Sequence, residues 1–180
     1  MNGIAKASGR DRATDGSSGS SKLADLYVRS GPGSVRLAYL LTGDRAVAED
    51  IAQDAFVRVV GHLGHLRDPS SFDAYLRRTV VNLAKNHFRR RAVERGFLAR
   101  AIQPEPTQGP ERHSVDRHTV IDALGRLPQR QRAAIVLRYY EDLPEDDIAS
   151  VLRCRPATVR SLVARGVQTL RSELREAPDA

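Results

Sequence analysis

Apolar residues recur at helical spacing in two stretches of the chain, residues 22–92 and residues 114–177. The clearest stripe repeats at intervals of four and comprises Val47, Ile51, Ala55, Val59 and Leu63. Such spacing is typical of an amphipathic α-helix, and no segment of useful length alternates as a half-buried strand would. The pattern therefore predicts an all-α fold with two small helical domains.

Proline and glycine predict where the helices begin and end. In the first stretch we expect a turn at residues 30–33, a loop at residues 64–71 and a helix over residues 72–91. In the second stretch, prolines suited to a first helical turn help to predict helices over residues 115–126, 128–141, 145–152 and 156–174.

Two segments lack a helical pattern. Residues 1–21 are rich in Gly and Ser and nearly devoid of large apolar groups, so they predict a disordered tail. Residues 101–113 contain three prolines and a glycine and have no helical period. The sequence therefore predicts a flexible linker over residues 93–113, between the two domains.

The positive charge of the chain is concentrated in its first domain. Among the 180 residues, 29 Lys and Arg outnumber 22 Asp and Glu, for a net charge of +7. Residues 22–92 carry +5 of that excess, and residues 77–91 hold six basic residues and no acidic one. This distribution favours an anionic partner.

Other features of the composition exclude several classes of protein. No run approaches the roughly 18 apolar residues of a membrane span, and residues 1–21 contain no apolar core of a secretory signal. The single cysteine, Cys154, excludes an intramolecular disulfide and any cysteine-cluster metal site. We therefore expect a soluble, cytoplasmic protein that does not insert into a membrane.

The predicted third helix carries a basic face. Around a helix of about 3.6 residues per turn, an apolar side opposes a side formed by Arg78, Asn82, Lys85 and Arg89. Cations bind phosphates, and an asparagine amide can hydrogen-bond a base edge, so this face favours a nucleic acid. The alternatives are a solvated basic face, and arginines that compensate the dipole at the helix end.

The predicted second helix carries the opposite charge. Glu49, Asp50, Gln53 and Asp54 lie away from its apolar stripe and are called the acidic ridge below. Acidic side chains are favourable in the first turns of a helix, which alone would explain them. The functional alternative is a docking face for a basic protein partner.

Residues 148–152 and 156–163, with three residues between them, match a helix-turn-helix. Arg153 stands where this turn usually has glycine. If the backbone there is left-handed, a residue with a Cβ atom destabilises the turn by about 1 kcal/mol. Helical hairpins without a DNA function have a similar pattern. The residues expected to contact DNA are Arg155, Thr158, Arg160, Ser161 and Arg165.

No catalytic constellation is visible in the sequence. His62 and His65 lack a third metal ligand, and Cys154 is expected to be a small turn residue. There is neither a phosphate-binding glycine-rich loop nor a nucleophile–base signature. The sequence predicts a protein that is not an enzyme and that uses no metal and no cofactor.

The order of these motifs resembles bacterial RNA polymerase sigma factors of the extracytoplasmic-function (ECF) type. Residues 48–56, AEDIAQDAF, are similar to region 2.2 of that family, which docks on the clamp helices of the polymerase β′ subunit. Residues 72–82, FDAYLRRTVVN, are similar to regions 2.3–2.4, which melt and read the promoter −10 element. The resemblance implies −10 contacts from Phe72, Tyr75, Arg78, Asn82, Lys85 and Arg89.

The second domain resembles region 4 of the same family. Residues 127–132 and 137–143 are similar to its LP-x-x-x-R and LRY-x-x-x-L segments, and residues 158–161 to its TV-[KR]-S segment. The resemblance implies that the helix-turn-helix reads the −35 element and that the domain contacts the polymerase β flap. Asn86 and Leu162 depart from the usual aspartate and arginine.

The family also implies an anti-sigma factor that covers both DNA-binding faces. Two rival functions remain at this point. A stand-alone helix-turn-helix regulator would use the first domain to dimerise or sense a signal, and an enzyme would use the helix-turn-helix only for targeting.

Overall fold

The structure is a computed structural model and describes residues 15–62, 71–98 and 115–176. Over those ranges the chain is all-α, without a strand, as the sequence predicts. The seven helices are α1 (Asp15–Thr42), α2 (Arg45–Gly61), α3 (Phe72–Leu98), α4 (Val115–Arg126), α5 (Gln129–Tyr139), α6 (Glu145–Leu152) and α7 (Pro156–Glu176). None of them is long and apolar enough to cross a membrane.

The first helix is longer than the sequence predicts. It begins at Asp15, so the predicted disorder is wrong for residues 15–21, while residues 1–14 lie outside the described residues. Once a helix exists, each further residue adds one backbone hydrogen bond without a new nucleation cost. Residues 15–21 can therefore extend α1 even though their intrinsic helix propensity is low.

The predicted turn at residues 30–33 is also wrong, because α1 continues through Pro32. A proline leaves one carbonyl without its helical donor, here that of Val28, which is 75% exposed and open to water. On the other side of α1, Leu37 and Ala38 are buried at 2% and 0% exposure. Packing of this face outweighs the local preference of proline and glycine for a turn.

The second helix starts after a glycine turn and an aspartate N-cap. Gly43 has a φ of +75°, and the side chain of Asp44 accepts a hydrogen bond of 3.1 Å from the backbone N–H of Val47. This N-cap satisfies one of the free donors of the first turn of α2. The predicted apolar stripe is buried through Ile51, Ala55 and Val59, whereas Leu63 lies outside the described residues.

The third helix extends beyond the predicted end at residue 91 and reaches Leu98. It therefore includes residues 93–98 of the predicted linker, in which no proline occurs before Pro104. The predicted apolar side is buried at Leu76, Val80 and Ala84. The remaining linker residues lie outside the described residues, as does nearly all of the predicted loop at residues 64–71.

The helix-turn-helix is formed by α6 and α7. Ile148 and Val159 are both fully buried between these helices, and Ala149 is 6% exposed. Arg153 ends α6 with φ 51° and ψ 56°, which is the left-handed geometry expected from its place in the turn. The backbone N–H of Cys154 then bonds the carbonyl of Ala149 at 3.0 Å.

A close approach of α7 to α5 depends on Gly166, which the sequence pattern did not single out. A Cβ atom at this position would lie 2.8 Å from Cγ1 of Ile135. Since real Cβ atoms do not come so close, any other residue would force either the Ile135 side chain or α7 to shift.

The two helical groups, α1–α3 and α4–α7, share one buried core instead of forming separate bodies. The core runs without a break from Leu37 and Val80 in the first group to Leu137 and Val159 in the second. Helix α1 contacts both α4 and α5. The sequence correctly predicts two helical units. It gives no indication of the contact between them.

Arg132 of α5 joins the two groups. Its side chain is 7% exposed, and Nη1 donates a hydrogen bond of 2.8 Å to the carbonyl of Leu41, near the end of α1. Nη2 donates to the carbonyl of Gly125, near the end of α4, and the guanidinium lies 5.5 Å from the centre of the Phe88 ring of α3. Burial lowers the pKa of Arg132, but an arginine stays charged in proteins. One cation therefore caps two helix C-termini from different groups.

We expect Arg132→Met to destabilise the protein by about 3 kcal/mol, because two carbonyls lose a charged donor. Thermal unfolding should show a decrease in Tm of roughly 6–12 °C. The matched control is Arg130→Met, since Arg130 lies on the same helix and is exposed. Similar Tm values for the two variants would contradict the role of Arg132.

We expect Arg153→Gly to stabilise the protein by about 0.5–1 kcal/mol, because glycine adopts positive φ without steric cost. The control Arg153→Ala keeps a Cβ atom at the same φ and should give no such gain. Urea unfolding of both variants measures the difference. Equal midpoints for the glycine and alanine variants would show that the turn carries no strain.

Candidate nucleic-acid interfaces and an acidic face

The exposed side of α7 carries the residues predicted to contact DNA. Arg155, Arg160, Ser161 and Arg165 are exposed, and Thr158 is half-buried. Arg155 directly precedes α7, and the other four side chains lie on this helix, where a helix-turn-helix presents its recognition surface. The exposed cations suit phosphate oxygens, while the hydroxyl groups suit either phosphates or base edges.

Arg160 is held in place by a neighbour that sequence reasoning did not single out. Its Nη1 donates a hydrogen bond of 2.9 Å to Oε2 of Glu145 in the first turn of α6. The side chains are 63% and 38% exposed, so water screens this ion pair and a phosphate can compete for Arg160. The hydroxyl of Ser161 bonds the carbonyl of Ala157 at 3.1 Å within α7.

The polar face of α3 is only partly open to solvent. Lys85 and Arg89 are exposed, whereas Arg78 and Asn82 are half-buried. Arg78 Nη2 donates a hydrogen bond of 3.2 Å to the carbonyl of Ser150 in α6. Part of this face is therefore less accessible than it would be on an isolated helix, because the second helical group packs against it.

The −10 contact expected from Phe72 is contradicted by its burial. Its side chain is 1% exposed, so in this structure it cannot form the direct −10 contact implied by the family resemblance. Its ring packs at a centroid distance of 5.9 Å against Phe56, which in turn lies 5.1 Å from Tyr27. Tyr75 is 38% exposed and is the aromatic residue at the start of α3 that can reach a base.

The acidic ridge is exposed along α2, as its sequence predicts: Glu49, Asp50, Gln53 and Asp54 all face solvent. Arg45 Nε lies 3.0 Å from Glu49, and Arg58 Nη2 lies 3.9 Å from Asp54. Both pairs are formed within the helix and are exposed, so each carboxylate stays accessible to a partner.

Beside the acidic ridge, α1 and α2 form a cavity that sequence reasoning missed. Its volume is about 260 Å³, and it is lined by Tyr27, Gly31 and Phe56 together with Glu49 and Gln53 of the ridge. An aromatic floor with an acidic rim suits a basic side chain with a long apolar stem. Tyr27 and Gly31 are four residues apart in the sequence, so they lie on the same side of a continuous helix. They come into contact because α1 continues through Pro32.

The chain matches two family models over most of its described residues. Residues 26–93 match sigma-70 region 2, and residues 117–170 match sigma-70 region 4. The RNA polymerase sigma-E factor of Streptomyces avermitilis is 32% identical over 149 residues, which cover 82% of this chain and 83% of that protein. The ECF RNA polymerase sigma factor SigE of Mycolicibacterium smegmatis is 33% identical over 145 residues, 77% of this chain and 56% of that protein.

Solved structures with the same fold extend the comparison. The sigma factor RpoE of Bartonella quintana, in complex with the anti-sigma factor NepR, has a TM-score of 0.71 at 22% identity and covers 87% of this chain and 99% of its own. CnrH, in complex with the cytosolic domain of CnrY, has a TM-score of 0.64 at 24% identity over 88% and 91% of the two chains. At these identities the likeness concerns the fold.

The presence of region 2 before region 4 excludes the rival interpretation as a stand-alone helix-turn-helix regulator. The sequence identity to sigma factors extends over both helical groups. The chain therefore belongs to the sigma-70 family of RNA polymerase sigma factors, and within it to the ECF type.

Proposed function

We propose that this sigma factor binds core RNA polymerase through the acidic ridge, opens and reads the −10 element with α3, and reads the −35 element with α7. The observation that supports this division is the distribution of charge on the described surface. Exposed acids lie on α2, within the region 2 match, and exposed cations lie on α3 and α7. Acidic side chains repel DNA, so the ridge suits a protein partner and the basic faces suit phosphates.

The polymerase partner of the acidic ridge is the pair of clamp helices of the β′ subunit. The ridge offers exposed carboxylates, and the adjacent cavity can accept the stem of a basic side chain. The second helical group would contact the β flap. Two attachments on one polymerase make the second contact intramolecular, which raises its effective concentration.

Opening of the −10 element needs no nucleotide hydrolysis if the protein captures the extruded bases. Unstacking costs a few kcal/mol per base, and stacking on an aromatic ring or hydrogen bonding to a base edge can offset this cost. Tyr75 supplies an exposed ring, and Asn82 supplies an amide further along α3. The exposed cations Lys85 and Arg89 bind the phosphates of the same strand in this proposal.

The proposal includes three further properties. The protein acts without catalytic activity of its own, because its work is the binding of polymerase and DNA. It acts in the cytoplasm, where both partners are found. An anti-sigma factor inhibits it, by analogy with the similarly folded RpoE, whose structure is of a complex with the anti-sigma factor NepR.

Run-off transcription tests the proposed function. Purified core polymerase is incubated with a pool of genomic promoter fragments, with and without the protein. We expect discrete new start sites that depend on the protein, and their alignment would give both promoter elements. DNA binding without new start sites would contradict the proposal.

Substitution of the acidic ridge should separate polymerase binding from folding. We expect Asp50→Arg/Asp54→Arg to weaken core polymerase binding about a hundredfold, because like charges then meet across the interface. The matched control, Asp25→Arg/Asp122→Arg, makes the same charge change at two exposed acids outside the ridge. Circular dichroism should show unchanged helix content in both variants, and retained polymerase binding by the ridge variant would remove this assignment.

Substitutions on α3 and α7 should affect different steps. We expect Arg160→Ala/Arg165→Ala to weaken −35 recognition about tenfold and to reduce the salt dependence of DNA binding, while transcription from a pre-melted template continues. Asn82→Ala should instead impair opening or discrimination of the −10 element. Transcription from duplex and pre-melted templates measures both effects, and equal losses on both templates in both variants would disprove the division.

A further inference from the structure

An ion pair joins the two helices of the helix-turn-helix. Glu145 is the first residue of α6, and Arg160 lies in the second turn of α7. Nη1 of Arg160 donates a hydrogen bond of 2.9 Å to Oε2 of Glu145. In a helix-turn-helix, the start of the second helix meets base edges, and the first helix crosses the phosphate backbone. The pair therefore connects the two parts of the motif that meet DNA.

A carboxylate at a DNA-binding surface weakens the attraction to phosphates, so the presence of Glu145 needs a reason. Acidic side chains stabilise the first turn of a helix, but Asp146 and Asp147 already supply two of them in α6. Of these three acids, Glu145 is the one that bonds an arginine of α7, and it is the least exposed. The structure thus gives Glu145 a partner that stabilisation of the helix end does not require.

The ion pair restricts Arg160 without using all of its donors. A guanidinium has five N–H groups, and the bond to Glu145 uses one of the two on Nη1. The edge formed by Nε and Nη2 can still donate two parallel hydrogen bonds. In the major groove, guanine presents two acceptors to such an edge, O6 and N7. Arg160 can therefore bind a guanine and Glu145 at the same time.

Phosphate oxygens compete with bases for an exposed arginine. A contact with phosphate raises affinity for every DNA sequence, whereas a contact with a base edge depends on the sequence. Movement of Arg160 from Glu145 to a phosphate would break the ion pair, whereas the bond to guanine keeps it. Glu145 thus disfavours the sequence-independent contact more than the sequence-specific one. Specificity is such a difference between two affinities.

We propose that Glu145 determines specificity in the reading of the −35 element: its carboxylate holds Arg160 toward a guanine and away from phosphates. This inference rests on the proposed reading of that element by α7. Glu145 acts through Arg160 and is therefore a positioning residue, with no DNA contact of its own. Removal of its charge should make binding stronger on average and less selective. Loss of a merely structural residue would instead weaken binding to every sequence.

Selection from a library of DNA duplexes tests the proposal with the full chain. Each duplex contains about ten randomised base pairs, one helical turn, and sequencing of the bound fraction gives the base preference at every position. We expect the wild-type protein to select guanine at a position where Arg160→Ala loses the preference. Glu145→Gln keeps the size of the side chain and removes its charge, and it should lower the same preference about fivefold.

Asp146→Asn is the matched control, because it removes the same charge from the same turn of α6 and Asp146 is exposed. It should leave the guanine preference unchanged. A second measurement uses one duplex of fixed sequence that lacks this guanine, titrated over a range of salt concentrations. Glu145→Gln should bind this duplex more tightly than Asp146→Asn does, with a salt dependence steeper by roughly one phosphate contact.

The double variant Glu145→Gln/Arg160→Ala shows whether Glu145 acts through Arg160. Without the arginine, loss of the Glu145 charge should have no further effect on base preference. An unchanged preference in Glu145→Gln, or an equal decrease in Asp146→Asn, would overturn the role of Glu145. A wild-type selection without any preferred base would instead overturn the reading of DNA by α7, which belongs to the proposed function. The selection uses no polymerase, so the run-off assay tests initiation separately.

Discussion

The position of the two helical groups relative to each other depends on the buried guanidinium of Arg132. Burial of a charge is costly unless donors and acceptors are well matched. Here the carbonyls of Leu41 and Gly125 accept its hydrogen bonds at the negative ends of two helices, and the ring of Phe88 lies at its side. Since these partners come from three helices, the single cation fixes α1 and α3 relative to α4 and α5.

That constraint explains why the acidic ridge and the basic face of α3 differ in accessibility. The acidic ridge lies on α2, which forms the core of the first group with α1 and α3, and it faces solvent. The basic face of α3 is turned in part toward the second group, where Arg78 bonds the carbonyl of Ser150.

Several expectations from the sequence failed where local preference and burial compete. The turn expected at residues 30–33 follows from the preferences of Gly and Pro, but the buried face around Leu37 keeps α1 continuous. Phe72 resembles a base-contacting aromatic, yet it lies in the core and supports Phe56. Gly166 gave no signal at all, because its importance depends on the approach of α5, which is distant in sequence.

The sequence alone determined the helical class, the helix-turn-helix and the left-handed turn at Arg153, because turn geometry and apolar spacing are local properties. It also determined that the charged side chains of the acidic ridge and of α7 are exposed, because charged residues on the polar faces of helices stay in contact with water. Only the tertiary structure decided how the two groups pack. Arg77 and Glu141, an ion pair between the two groups, are 64 positions apart, and Arg132 and Leu41 are 91 apart. The periodicity of one helix does not predict which side chains of another helix it contacts. The burial of part of the polar face of α3 could therefore be recognised only from the tertiary structure.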